Sequence, residues 1–141
     1  MQNSEKLKKA YLSTTRGTIH TLLLLFVLGM IANLYLEIPE GLAGSAAWSW
    51  VFSSSPVIAV HAVLGTLLLL VSIASLVLAI LDHQKKWIVA SSLGLIFTLL
   101  AALSGSDFVS NGGSNLSSLL MAFGFLGAFV SYGLAVFSPQ K

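Results

Sequence analysis

The stretch VIAVHAVLGTLLLLVSIASLVLAIL, residues 57–81, decides the fold class because His61 is its only ionisable side chain. It is longer than the roughly 20 apolar residues that a helix needs to cross a bilayer. Backbone polar groups find no water in hydrocarbon, so a spanning segment of this kind must be helical. Three other stretches share this character. The predicted membrane spans therefore cover approximately residues 17–36, 57–81, 87–105 and 116–137.

The composition of the whole chain supports a membrane protein. Of its 141 residues 56% are hydrophobic and 9% are charged, whereas about a quarter of the residues in a soluble domain carry charge. Residues 1–141 suffice for one domain, which we predict to be an all-α integral membrane protein, an antiparallel four-transmembrane-helix bundle. The chain has no cysteine, which excludes disulfides, thiolate metal sites and a cysteine nucleophile. A net charge of +2 gives no indication of a nucleic-acid partner.

The distribution of basic residues predicts the orientation. All seven lie in the N-terminal tail, the second connection or the C-terminal tail, namely Lys6, Lys8, Lys9, Arg16, Lys85, Lys86 and Lys141. Loops rich in Lys and Arg stay in the cytoplasm. We therefore expect a multi-pass protein of the cell membrane with both termini cytoplasmic, and with Glu37, Glu40 and Asp107 outside. The lysine-rich start and first apolar run are interpreted as a retained span, because the run is too long for a signal-peptide core.

Residues 41–55 are apolar but are interrupted by Gly and Ser and contain Trp48, Trp50 and Phe52. Aromatic side chains of this kind favour the water–lipid interface, so we expect a short helix or loop lying on the outer surface. Trp87 is expected to mark the inner interface in the same way.

Small residues at helical spacing predict the faces on which the helices pack, because membrane helices associate through close contact. These faces are His61, Gly65, Leu68, Ser72, Ser75 and Ala79 on the second span, Ser91, Gly94, Thr98 and Ala101 on the third, and Met121, Gly124, Ala128, Ser131 and Ala135 on the fourth. On the first span Gly29 and Asn33 form a shorter pair.

Ionisable side chains within the hydrocarbon are functional candidates, because they are costly to place there. His61 heads the small-residue face of its span, and Gly65 one turn further leaves a flat cleft. A haem with His61 as axial ligand would fit such a cleft. Met121, the preferred second ligand, and Met30 lie at the same predicted depth.

Two alternatives to this site stay open. An inner haem site would use His20 with His83, where Arg16, Lys85 and Lys86 suit the haem propionates. At the outer site the only groups for propionates are backbone donors at helix N-termini near Ser55 and Asn115. In the other alternative no cofactor binds, Met121 fills core volume, and His61 bonds Asn33, Asn115 or Ser118.

Four short helices with His-x-x-x-Gly at the outer end of the second, here His61 to Gly65, resemble the small membrane-bound b-type cytochromes and one half of the haem A synthase bundle. The resemblance implies haem b and electron transfer.

The sequence therefore predicts a haem-binding electron-transfer protein that exchanges electrons with a quinone or a larger respiratory complex. One alternative is a cofactor-free accessory subunit that docks through its glycine and serine faces, in a homo- or hetero-oligomer. Another is a small transporter or proton-conducting element using His61 near Asp107. A stand-alone enzyme is disfavoured, because no two titratable side chains are clearly placed at one buried site.

Overall fold

The computed structural model describes residues 2–137, and this part of the chain is helical with no β-strand. Its elements are α1 (Gln2–Tyr35), α2 (Gly44–Ser54), α3 (Pro56–Leu81), α4 (Lys85–Ser110) and α5 (Asn115–Phe137). Within the described residues α1, α3, α4 and α5 are long and apolar enough to cross a membrane. The predicted all-helical class and the number of candidate spans are thus confirmed.

Two helices extend beyond the predicted spans. The first begins at Gln2 rather than near residue 17, because the lysine-rich segment continues the same helix without a break. The third long helix, α4, continues past residue 105 to Ser110. The backbone N–H of Asn111 still donates to the carbonyl of Asp107. The expected break from Gly105 to Asn115 therefore shrinks to a short turn, in which Gly112 and Gly113 have φ of 68° and 92°. These left-handed values favour glycine.

The long helices form a ring of four neighbours. α3 packs against α1 and α4, and α5 also packs against α1 and α4. Among the described residues the pairs α1/α4 and α3/α5 make no close backbone contact, so they are the diagonals of the ring. α2 packs against α3 and α4.

Two clusters define the ends of this ring. At one end Tyr11, Ala79, Trp87 and Ala135 pack together. We call it the basic end, because the described Lys and Arg residues belong to the first half of α1 and the start of α4. At the other, the α2 end, Ala47, Val51, Ile58 and Val109 form a cluster. Lys141, used in the predicted orientation, lies outside the described residues.

The predicted packing faces are largely buried in the structure. The buried members are Leu68, Ser72, Ser75 and Ala79 on α3, Ser91, Gly94 and Thr98 on α4, and Gly124, Ala128, Ser131 and Ala135 on α5.

The expectation for Trp87 was wrong. Its side chain is 2% exposed and stacks on Tyr11 with 4.5 Å between ring centroids, so it fills the core instead of marking a surface.

Candidate ligand-binding cavity

A cavity of about 470 Å³ lies inside the α2 half of the ring. Leu68, Thr98 and Ala128 line it on the side of the basic end, and Trp48 and Phe52 of α2 line it on the opposite side. Most of the lining is apolar. The polar exceptions are His61, Asn33, Thr66, Thr98, Ser106 and Ser118. A mostly apolar cavity with a few polar groups is typical of a site for a small molecule or cofactor.

His61 lies on the wall of this cavity and leans on α1. A Cβ atom built on Gly29 would be 3.1 Å from its Cε1, so the imidazole rests on a glycine. Its Nδ1 is buried without a hydrogen-bond partner within residues 2–137. Ser118 instead donates to Oδ1 of Asn33 at 2.9 Å. His61 Nδ1 therefore forms none of the bonds to Asn33, Asn115 or Ser118 that the cofactor-free alternative expects.

The predicted methionines line the same cavity. Met121 leans on α4, where its Sδ is 3.2 Å from the position that a Cβ on Gly105 would take. Met30 also contributes, although its side chain is 41% exposed on the outside of α1. His61 and Met121 thus line one cavity. His61 packs against α1 and Met121 packs against α4, and these two helices lie diagonally opposite each other in the ring.

Gly65 also lines the cavity, as predicted for a residue that leaves space near His61. A Cβ built on it would meet no described atom within 4 Å. Gly124, in contrast, lies against the backbone of α4, where a Cβ would be 2.7 Å from the nitrogen of Ala101. Gly65 is therefore not a packing glycine.

The structure does not bring His20 and His83 together. Both side chains are exposed. His20 Nδ1 donates to the carbonyl of Arg16 at 2.8 Å. His20 lies about 13 Å from Tyr11 along α1, toward the α2 end. His83 lies at the basic end, four residues before Trp87, which stacks on Tyr11. Among the described residues no group of three or more His, Cys, Asp or Glu side chains is placed to hold a metal ion.

Charge is scarce around the cavity. Among the described residues no Lys or Arg lines it. The nearby carboxylate, Asp107, accepts a bond from Asn111 Nδ2 at 2.6 Å and a short bond from Ser117 Oγ. Asp107 therefore stabilises the turn between α4 and α5, and both of its oxygens have partners other than His61.

Three features of the cavity were not predicted from the sequence. They are the glycine support of His61 by Gly29, the Asn33–Ser118 bond, and the bond from Trp48 Nε1 to Ser110 Oγ at 3.2 Å, which ties α2 to α4. Gly29 and Asn33 were recognised as a small-residue pair, but their partners depend on the register between helices. No known protein family, no characterised protein and no solved structure matches this chain.

Proposed function

We propose that this chain is a multi-pass protein of the cell membrane that holds one haem b inside an antiparallel four-helix bundle and transfers electrons. The observation that carries the proposal is His61, whose buried Nδ1 lacks a partner among the described residues, on the wall of a cavity that Met121 also lines. Imidazole and thioether are both accepted axial ligands of haem iron. Under this proposal the chain is similar to the small b-type cytochromes and to one half of the haem A synthase bundle.

The bundle and its orientation are supported by contacts and charges. Phe26 stacks on Phe125 and Asn33 bonds Ser118, so residue numbers rise along α1 as they fall along α5, which supports antiparallel helices. The described basic residues share one end, so the positive-inside rule favours a cytoplasmic basic end and cytoplasmic termini. The cavity then lies in the outer half of the membrane. Partners of this protein are the lipid bilayer and a quinone or larger respiratory complex.

The cavity offers ligand types that haem iron accepts. His61 and Met121 would hold the iron, and Gly65 leaves space beside His61. The propionates find no cation in the lining, so they would lie at the α2 end, where α3 and α5 begin and offer free backbone N–H groups. Bound haem supplies a one-electron couple. Most of the cavity wall is apolar, and a thioether ligand would raise the reduction potential of the haem.

Substitution of the two ligands tests the proposal. The wild-type protein, purified from haem-replete cells, should show a Soret band. His61→Ala should lose this band, because imidazole is the stronger ligand. Met121→Leu should retain haem but lower its reduction potential, since a thioether favours ferrous iron. Met30→Leu is the matched control, because it changes a methionine of the same cavity that is not the preferred ligand.

Two outcomes would overturn the haem site. A colourless wild-type protein would exclude bound haem. A Soret band that persists in His61→Ala and disappears in His20→Ala would move the site away from the cavity to the exposed His20.

A second candidate function is binding of a lipid-soluble quinone in the same cavity. It is favoured by the absence of Lys and Arg from the described lining, since a quinone carries no charge that needs them. The Asn33 side-chain amide N–H, whose neighbouring Oδ1 accepts from Ser118, offers a hydrogen-bond donor for a carbonyl oxygen of the quinone. A colourless protein from which organic solvent extracts a stoichiometric quinone would support this candidate. A colourless protein without quinone would favour a cofactor-free accessory subunit.

A further inference from the structure

Buried hydroxyl groups continue from the cavity toward the basic end. The first is Thr98, which lines the cavity and donates to the carbonyl of Gly94 at 2.8 Å. Ser72 Oγ donates to Thr98 Oγ1 at 3.5 Å. Next to them lies Tyr132, a fully buried side chain whose hydroxyl faces Ser72 and Thr98 but makes no hydrogen bond of normal geometry within the described chain.

Further polar groups extend this series. Ser75, one turn along α3 from Ser72, is fully buried, and its Oγ has no partner among residues 2–137. Tyr11 Oη and Ser91 Oγ are 3.1 Å apart and both buried. The indole nitrogen of Trp87, which stacks on Tyr11, is likewise buried without a bond inside the described part of the chain. The series ends at the turn after α3, where Asp82 Oδ1 is also buried and has no described partner.

Packing alone does not account for these groups. A hydroxyl in a membrane helix usually bonds the carbonyl four residues earlier, as Thr15, Thr98 and Ser131 do. Each buried polar group left without a bond costs about 1–3 kcal/mol. Alanine or phenylalanine would fill the same space without that cost. Ordered water that bridges buried polar groups removes the penalty.

The geometry points to a water-containing proton path from Asp82 at the basic end, through Tyr11, Ser91, Ser75 and Tyr132, to the cavity at Thr98. Each hydroxyl or water accepts a proton from one neighbour and gives its own to the next, so no residue changes its net charge. The inference rests on the proposed function for its purpose, because a redox ligand in the cavity is the group that would exchange these protons. The conduction itself does not require that ligand.

The charged and titratable groups around the path are few. Tyr11 lies on α1 and Tyr132 on α5. Asp82 follows α3, and Lys86 lies in the first turn of α4 over the ring of Trp87. His61 faces the cavity into which the path leads. The hydroxyl of Tyr132 is the link before Thr98, the residue that lines the cavity, and its removal should interrupt the path.

Proton flux into liposomes tests this path. The full chain is reconstituted with a pH-sensitive dye inside, and flux is driven by a potassium diffusion potential. The His61→Ala protein serves as the parent, so that an axially bound ligand does not close the cavity. Its flux should exceed that of protein-free liposomes. Adding Tyr132→Phe should return the flux to the protein-free level, and Ser75→Ala should lower it. Tyr35→Phe is the matched control, because that side chain is 78% exposed at the end of α1 and should have no effect.

The outcomes separate this inference from the proposed function. Equal flux with and without Tyr132→Phe, or no flux above protein-free liposomes, overturns the path. Thermal unfolding of both proteins shows whether the phenylalanine variant is folded, and Ser75→Ala repeats the test at a smaller side chain. A colourless wild-type protein with Tyr132-dependent flux overturns the haem proposal but keeps the path. A haem-containing protein without Tyr132-dependent flux keeps the haem proposal but overturns the path.

Discussion

The imidazole of His61 on α3 rests directly on the backbone of α1 at Gly29, 3.1 Å from where a Cβ would be. Any side chain at position 29 would push the imidazole toward the cavity. The position of the principal candidate ligand is therefore set by a glycine on a neighbouring helix.

The imidazole can shift by a few tenths of an ångström into the cavity, so Gly29→Ala should lower stability by at most about 1 kcal/mol and should weaken ligand retention. Unfolding of the detergent-solubilised protein and the Soret intensity measure the two effects. Gly17→Ala is the control on the same helix, because a Cβ there meets no described atom within 4 Å. It should be neutral or stabilising by up to about 1 kcal/mol. In a His61→Ala background the cost of Gly29→Ala should largely disappear, and an unchanged cost would show that the histidine is not the obstacle.

Gly124 is the position where an added methyl group should be most damaging. A Cβ there would lie 2.7 Å from the backbone nitrogen of Ala101 and 2.8 Å from the carbonyl oxygen of Phe97. Backbone atoms cannot rotate away as a side chain can, so α4 and α5 would have to separate. We expect Gly124→Ala to cost at least about 1–3 kcal/mol of unfolding free energy. Gly133→Ala on the same helix, where a Cβ meets no described atom within 4 Å, should cost nothing; similar losses in both variants would contradict the close contact of α4 with α5.

The buried faces were predictable from the sequence because small residues recur at helical spacing and permit close contact. Ser72, Ser75, Gly94 and Ala128 all follow this rule and are buried. Tyr132 did not follow from it, because its large ring is buried against a glycine of another helix, Gly94. The same applies to Trp87 and Tyr11, which bury each other by stacking.

The shared position of His61 and Met121 in one cavity was predictable from the sequence, but the supports of their side chains were not. Depth along each span was enough to bring His61 and Met121 to a shared cavity, since rise per residue is constant in a helix. The supports of these side chains on Gly29 and Gly105 depend on how neighbouring helices rotate and slide against each other. A single sequence contains no direct measure of that register.

The turn between α3 and α4 should gain stability when His83 is replaced by glycine. His83 has φ of 56°, a left-handed conformation that disfavours a side chain, and its N–H bonds the carbonyl of Ile80 at 3.1 Å. Left-handed backbone costs about 1–2 kcal/mol in L-residues and little in glycine, so His83→Gly should raise the unfolding free energy by about 1 kcal/mol. Gln84→Gly is the neighbouring control, since Gln84 is extended with φ of −84°, and it should not stabilise. A stability loss in His83→Gly would indicate that the exposed imidazole makes a contribution of its own.

Membrane orientation can be tested with two exposed positions at opposite ends of the ring. Glu40 lies in the connection before α2, and Gln84 lies in the turn between α3 and α4. Because the basic end is expected in the cytoplasm, Glu40→Cys should react in intact cells with a membrane-impermeant thiol reagent, and Gln84→Cys should react only after the cells are opened. The chain has no cysteine of its own, so any labelling reports the introduced residue. Labelling of Gln84→Cys but not Glu40→Cys in intact cells would invert the orientation and place the cavity in the cytoplasmic half. Labelling of both would contradict an arrangement in which α3 separates these two connections across the membrane.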